Sequence, residues 1–213
     1  RQGWSVALSG DGNSLAVGAN NDDASGEDAG KTTIYQLQND EWVQVGSPIL
    51  GEAAGDESGS SVTISQNGEI VGIGAGYNDG NGTHAGHARV FQLNGSEWQQ
   101  LGGDIDGAAE LFRHGDAVAL SSDGYTLAVG APKDDTAGDS AGRTFVYDWN
   151  GVTWELRGAP IDGEMPWSSS GLTVSLSNDG DRVAVGAPYN DGAGTNAGHA
   201  RVYQWTGILW SPL

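Results

Sequence analysis

The chain has 213 residues, room for one sizeable domain or two small ones. It carries 9 basic against 28 acidic residues, a net of −19, a balance that repels phosphate backbones and anionic membranes and argues against nucleic-acid binding. The absence of cysteine excludes a disulfide framework, thiol catalysis and cysteine-ligated zinc, and no apolar run approaches the ~18 residues of a membrane span.

The first predicted strand is WSVALS (4–9), which alternates and runs into Asp11-Gly12, a hairpin turn pair. SLAVGA (14–19) is the second, short and apolar. An acidic, glycine-rich segment over 20–30 follows, then KTTIYQL (31–37), with β-branched and aromatic residues. After a turn at Gln38-Asn39-Asp40 comes EWVQVG (41–46), and GSPILGEAAGDE (46–57) reads as a linker. Thirty-six glycines and 37% hydrophobic residues fit short buried segments joined by tight turns, and no stretch has helical periodicity.

This pattern recurs at an offset of 56 residues. SLAVGA (14–19) aligns with IVGIGA (70–75), TLAVGA (126–131) and RVAVGA (182–187). Trp42, Trp98, Trp154 and Trp210 share one column, and Gly3, Gly59, Gly115 and Gly171 another. Four antiparallel strands per repeat predict an all-β fold, a β-propeller of four 56-residue blades in a single domain. The blades fall at about 1–57, 58–113, 114–169 and 170–213. Four blades can close alone or form part of a larger ring, through self-association or as a piece of a longer array. Starting at Arg1, the sequence reads as a processed chain or an excised fragment.

The stretches GWSVALSGDGNSLAVGA and GDAVALSSDGYTLAVGAP resemble the FG-GAP repeat family, which includes the N-terminal propellers of integrin α-chains and secreted repeat proteins of microbes and algae. The Gly3, Gly59, Gly115 and Gly171 column stands for the FG end, preceded here by Gln2, Ser58, His114 and Ser170 rather than Phe. The GAP end is literal at Gly130-Ala131-Pro132 and Gly186-Ala187-Pro188, and altered to Gly18-Ala19-Asn20 and Gly74-Ala75-Gly76. The resemblance implies a propeller that presents loops to partners, often outside the cell. It also implies a calcium cage between strands one and two, but SGDG, SQNG, SSDG and SNDG offer one acid at most there. Calcium needs about six to eight oxygen ligands, so that site is expected to be missing.

The other acidic cluster, between strands two and three, repeats as Asp22-Asp23, Asn78-Asp79, Asp134-Asp135 and Asn190-Asp191. It reads as an Asx-turn lock, a cation site or a partner-contacting rim. Asp22, Asp23, Glu27 and Asp28 are the best candidates for a calcium ion; no other cofactor is implied. The tryptophan column suits packing between blades or stacking on sugar rings. Lys31, His87, Arg143 and His199 form a basic column answering nearby acids, and the His84-x-x-His87 pair points to opposite faces of a strand. Glu110-Leu111-Phe112-Arg113-His114 and Met165-Pro166-Trp167 are the clearest breaks in the repeat, both inside linkers, where the apolar Leu111, Phe112, Met165 and Trp167 pack the linker down or mark a partner surface.

No catalytic motif is visible. The sequence therefore predicts a non-enzymatic extracellular adhesion module, secreted or at the cell surface, whose rim binds a protein partner or a glycan. A lectin-like propeller and a structural subunit of a larger assembly are the alternatives. A third class is a hydrolase or lyase with its site at the central channel.

Overall fold

The computed structural model describes residues 2–213, all β and turn. Blade one contains β1 (Ser5–Leu8), β2 (Ser14–Ala19), β3 (Lys31–Gln38) and β4 (Glu41–Gln44), with a fifth strand, β5 (Ile49–Leu50), on the way out. Blade two contains β6 (Ser61–Ile64), β7 (Ile70–Ala75), β8 (His87–Asn94), β9 (Glu97–Gln100) and β10 (Ile105–Asp106). Blade three contains β11 (Ala117–Leu120), β12 (Thr126–Ala131), β13 (Arg143–Trp149), β14 (Trp154–Leu156) and β15 (Ile161–Asp162). Blade four contains β16 (Thr173–Leu176), β17 (Arg182–Ala187), β18 (His199–Trp205) and β19 (Trp210–Pro212).

Each blade is an antiparallel meander in chain order. The two-residue strands β5, β10 and β15 are an addition to the predicted scheme. They pair with the start of the third strand, below the end of the fourth, as in Thr32 opposite Ile49. Ile49, Ile105 and Ile161 are thereby buried, so the linker closes the blade core instead of looping free.

The turn chemistry is local and repeats four times. In Ser9-x-Asp11-Gly12 the serine hydroxyl donates to the Asp11 carboxylate at 2.5 Å, and the Asn13 N–H donates to the same oxygen at 3.0 Å. Ser65, Ser121 and Ser177 repeat the bond with Asn67, Asp123 and Asp179. These turns lie at one end of the blades, the turn face. The β2–β3 loops and the linkers lie at the other, the loop face.

First strands pack on one another in sequence, β1 on β6, β6 on β11 and β11 on β16, and so line the axis. The core lies between blades. Ile34 and Ile49 of blade one enclose Val62, Val71 and Ile73 of blade two. Val90 and Ile105 do the same for Val118, Leu127 and Val129. The glycines of the repeat set the blade spacing: a Cβ at Gly18, Gly74 or Gly130 would sit about 2 Å from the carbonyl oxygen of Gly59, Gly115 or Gly171 in the following blade.

These four blades form an open arc. At one register Ile34, Val90 and Val146 are buried while Val202 is 40% exposed. At another, Val62 and Val118 are buried while Val6 is 63% exposed. Blade one thus lacks a neighbour on one side and blade four on the other.

Candidate functional site

The four β2–β3 loops share one construction. Oδ1 of Asp22, Asn78, Asp134 and Asn190 accepts the N–H two residues on, at 2.8–3.1 Å. Oδ1 of Asp23, Asp79, Asp135 and Asp191 accepts the N–H five residues on, at 2.5–2.9 Å. The residues so held, Asp28, His84, Ser140 and Asn196, all have φ of 45–51°. Side-chain oxygens occupied this way hold the loops in left-handed turns. Asp22 also meets Lys31 at 2.8 Å, and that ammonium holds its carboxyl below the usual range. Asp28 accepts from Asn21 at 2.9 Å, and Glu27 is not drawn into a shared cage with the others.

The outer-strand tryptophans bridge blades. Indole Nε1 of Trp98, Trp154 and Trp210 donates to the backbone oxygen of Val45, Leu101 and Arg157 in the preceding blade, at 2.8–2.9 Å. Gly46 and Gly102, at φ of 70° and 82°, leave the room the Trp98 and Trp154 rings need, and Gly158, at 76°, leaves room for Trp205. Trp42 has no preceding blade and is 44% exposed. Among the linker residues, Leu111 (57%) and Trp167 (64%) are exposed, whereas Phe112 is half-buried. Leu111 and Trp167 both take positive φ, which turns the linker.

Two clusters stand out because they break the fourfold pattern. The first lies at the loop-face end of an inner strand, next to the axis. Asp116, one residue before β11, occupies a column otherwise filled by Trp4, Ser60 and Leu172. Its carboxylate is 3.2 Å from Arg113 Nε, and the side chain is only 8% exposed. Arg113 lies over the Tyr77 ring at 4.3 Å, and Tyr77 meets His84 edge-on. Gly76, standing where two blades have proline, makes the space: a Cβ there would meet Asp116 Oδ1 at 1.9 Å. Burial pushes the Asp116 carboxyl up to about 6, against the pull of Arg113 and Lys133. A carboxyl so tuned, beside a guanidinium, suits general-base work near neutral pH. Next to it His114, 1% exposed, is held neutral by burial, which takes it down to about 3; its Nε2 lies 3.4 Å from the Tyr147 hydroxyl.

The second cluster lies off the axis, between blades one and two. His87, at the start of β8 and 1% exposed, turns Nδ1 toward Glu52 Oε2 at 3.9 Å and Asp106 Oδ1 at 4.0 Å. Asp104 joins them: one ligand atom each from Glu52, His87 and Asp104 lies within 4.8 Å of the other two. Burial and the neighbouring Arg89 lower His87 to about 4, so the ring is neutral. Burial, and then the like charge of Asp104, raise the Glu52 and Asp106 carboxyls. Elsewhere in this column Lys31 and Arg143 do answer acids, Asp22 at 2.8 Å and Asp162 at 2.7 Å.

Sequence reasoning marked Arg113 and His114 as breaks in the repeat and His87 as a base answering acids, but it did not single out Asp116, Glu52, Asp104 or Asp106, although the columns carried a signal. Position 104 and its counterparts read Pro48, Asp104, Pro160; position 113 and its counterparts read Glu57, Arg113, Ser169. An acid or base appearing once in a repeat otherwise fourfold is the mark to look for.

No family model matches the chain, and no curated protein matches its sequence. Solved structures do. Over 98% of its length the chain is similar to the periplasmic gluconolactonase of Pseudomonas aeruginosa (TM-score 0.64, 15% identity). Over 99% it is similar to a 6-phosphogluconolactonase candidate from Bacteroides uniformis (TM-score 0.64, 11% identity). Over 98% it is similar to a hydrazine synthase chain of Kuenenia stuttgartiensis (TM-score 0.61, 16% identity). It spans 55% of each of the first two chains and 53% of the third. At these identities the likeness shows the β-propeller fold. It also corrects the expectation of a non-enzymatic adhesion or lectin-like module: the neighbours are named for enzymes, two of them lactonases. The reason is physical. The fourfold loop acids and three of the four column tryptophans bond backbone groups, so the repeat motifs on which the adhesion reading rested describe turns and packing.

Proposed function

We propose that the chain is the four-blade portion of a hydrolytic propeller that opens the lactone ring of a sugar acid at the loop face. The observation that carries this reading is the Asp116–Arg113 pair, nearly buried beside the axis in space that Gly76 vacates. The lactonase names of the structural neighbours support it. The periplasmic neighbour likewise supports a place outside the cytoplasmic membrane. The FG-GAP-like repeat is, in this proposal, the scaffold alone.

In the proposed step the Asp116 carboxylate takes a proton from water as its oxygen attacks the lactone carbonyl. Arg113 stabilises the oxyanion that forms. Collapse breaks the ring C–O bond, and the proton held by Asp116 passes to the leaving alkoxide. The product is the open hydroxy acid. Base-titrated hydrolysis of glucono-1,5-lactone tests the reading. The chain should exceed the buffer rate, and Asp116→Asn should lose at least about a hundredfold, with Asp11→Asn unaffected. A wild-type rate equal to the buffer rate sinks the proposal.

A further inference from the structure

The off-axis cluster between blades one and two has no part in the lactone step, and it differs in kind from the acidic loops. It is a mixed donor set, and its imidazole is left without a partner. His87 is buried at 1% exposure, its Nε2 has no hydrogen-bond partner among the described residues, and its Nδ1 faces the carboxylates from beyond hydrogen-bond range. A buried ring nitrogen facing acids at that distance has a gap in front of it rather than a bond.

The surrounding residues hold the donors toward that gap. Arg89, 5% exposed, donates from Nη1 to Glu52 Oε1 at 3.1 Å and from Nη2 to the Leu50 oxygen at 2.8 Å. Its guanidinium thereby fixes one oxygen of Glu52 and leaves Oε2 for His87. Gln100 Nε2 donates to Asp104 Oδ1 at 2.7 Å, leaving the other oxygen open. Asp56 is engaged by the N–H groups of Glu52 and Ala53, which fixes the linker carrying Glu52. Three carboxylates, from Glu52, Asp104 and Asp106, face one guanidinium, and a cation would offset the remaining charge.

We propose that Glu52, His87 and Asp104 bind one divalent transition-metal ion of the zinc class, with Asp106 beside them. One imidazole nitrogen with two carboxylates is a zinc-type donor set and falls short of the six to eight oxygens that calcium takes. Donors around a tetrahedral zinc lie roughly 3.3 Å apart, given bonds of about 2.0 Å. The exposed side chains of Glu52 and Asp104 have only to swing inward to close on it.

The repeat supplies its own controls. Blade one has Lys31 and Pro48 at the His87 and Asp104 positions; blade three has Arg143 and Pro160, with Ala108 in place of Glu52. Blade four repeats the Glu164–Arg201 pair at 2.7 Å and sets His199 4.0 Å from Glu164. Among blades one to three, the full set of three occurs around blade two alone.

Equilibrium dialysis of the intact chain against zinc chloride in a large excess of magnesium tests the site, with bound zinc read by atomic emission. One zinc per chain is expected. Asp104→Pro, Glu52→Ala and His87→Arg each copy a residue that another blade carries at that position, and each should weaken binding at least about tenfold. Their thermal midpoints without zinc should match wild type, and any variant that fails this control is set aside for the other two. Cobalt substitution should give the visible absorption of a tetrahedral site in wild type and lose it in the variants. No zinc retained over magnesium overturns the proposal, as does equal retention by wild type and folded variants, which marks diffuse binding to surface acids. A failed lactonase assay leaves this readout untouched.

Discussion

His114 shows what a single buried group does to the pH response. Its folded value of about 3 lies below the ordinary histidine value of 6.5, so its contribution to stability is fully present above about 6.5 and is lost as pH falls toward 3. The groups bearing on it are the Tyr147 hydroxyl and His87. Asp116, two residues on, has the opposite sign. Raised to about 6, its contribution is present below 3.8 and is lost as pH rises through 6. The two terms oppose each other in the same window, so wild type alone would mask both. His114→Ser, copying Ser58 and Ser170, removes one of them. Between pH 6 and 4, wild type should lose about 1.4 kcal/mol per unit relative to this variant. Urea unfolding at pH 4, 5, 6 and 7 measures the difference, and a constant offset would contradict the burial of a neutral ring.

Within a blade, the strands were legible because their causes are local. Ser-x-Asp-Gly and its variants close the first hairpin by themselves, and the apolar second strand repeats four times. The short strands β5, β10 and β15 escaped notice because two residues are too few to show a period; only pairing with Thr32, Ala88 or Thr144 defines them. The His87 cluster escaped for a similar reason: it is assembled across a linker, and spacing along the chain does not reveal distance through space. The Arg113–Asp116 pair is local, three residues apart, but its burial appears only in the fold. The tryptophan column separates two kinds of position that the sequence makes alike. Trp98→Phe loses a hydrogen bond to the Val45 oxygen and should cost about 1 kcal/mol or more, whereas Trp42→Phe, without that bond, should fall within about 0.5 kcal/mol of wild type. Denaturant midpoints of the two variants decide the point; equal costs would mean the bond adds nothing.

Across the whole molecule, the neighbour relations run in one line, each blade made of contiguous chain and touching the one before and the one after. Blades two and three are covered on both sides; blades one and four on one. β7 and β12 are buried along their whole length, while β17 alternates between buried and open positions and β18 has no buried residue. A closed circle gives every member equal support, but a row does not. Stability in a row is a sum of nearest-neighbour terms, so opening begins at the outside and moves inward. Amide hydrogen exchange should be slowest in β7 and β12 and faster in β1 and β18; uniform protection across the four blades would contradict this. Both clusters sit at the interior seams, Glu52 and His87 where blade two meets blade one, Asp116 where blade three meets blade two. Fraying at the outer edges can therefore proceed while both clusters stay in place.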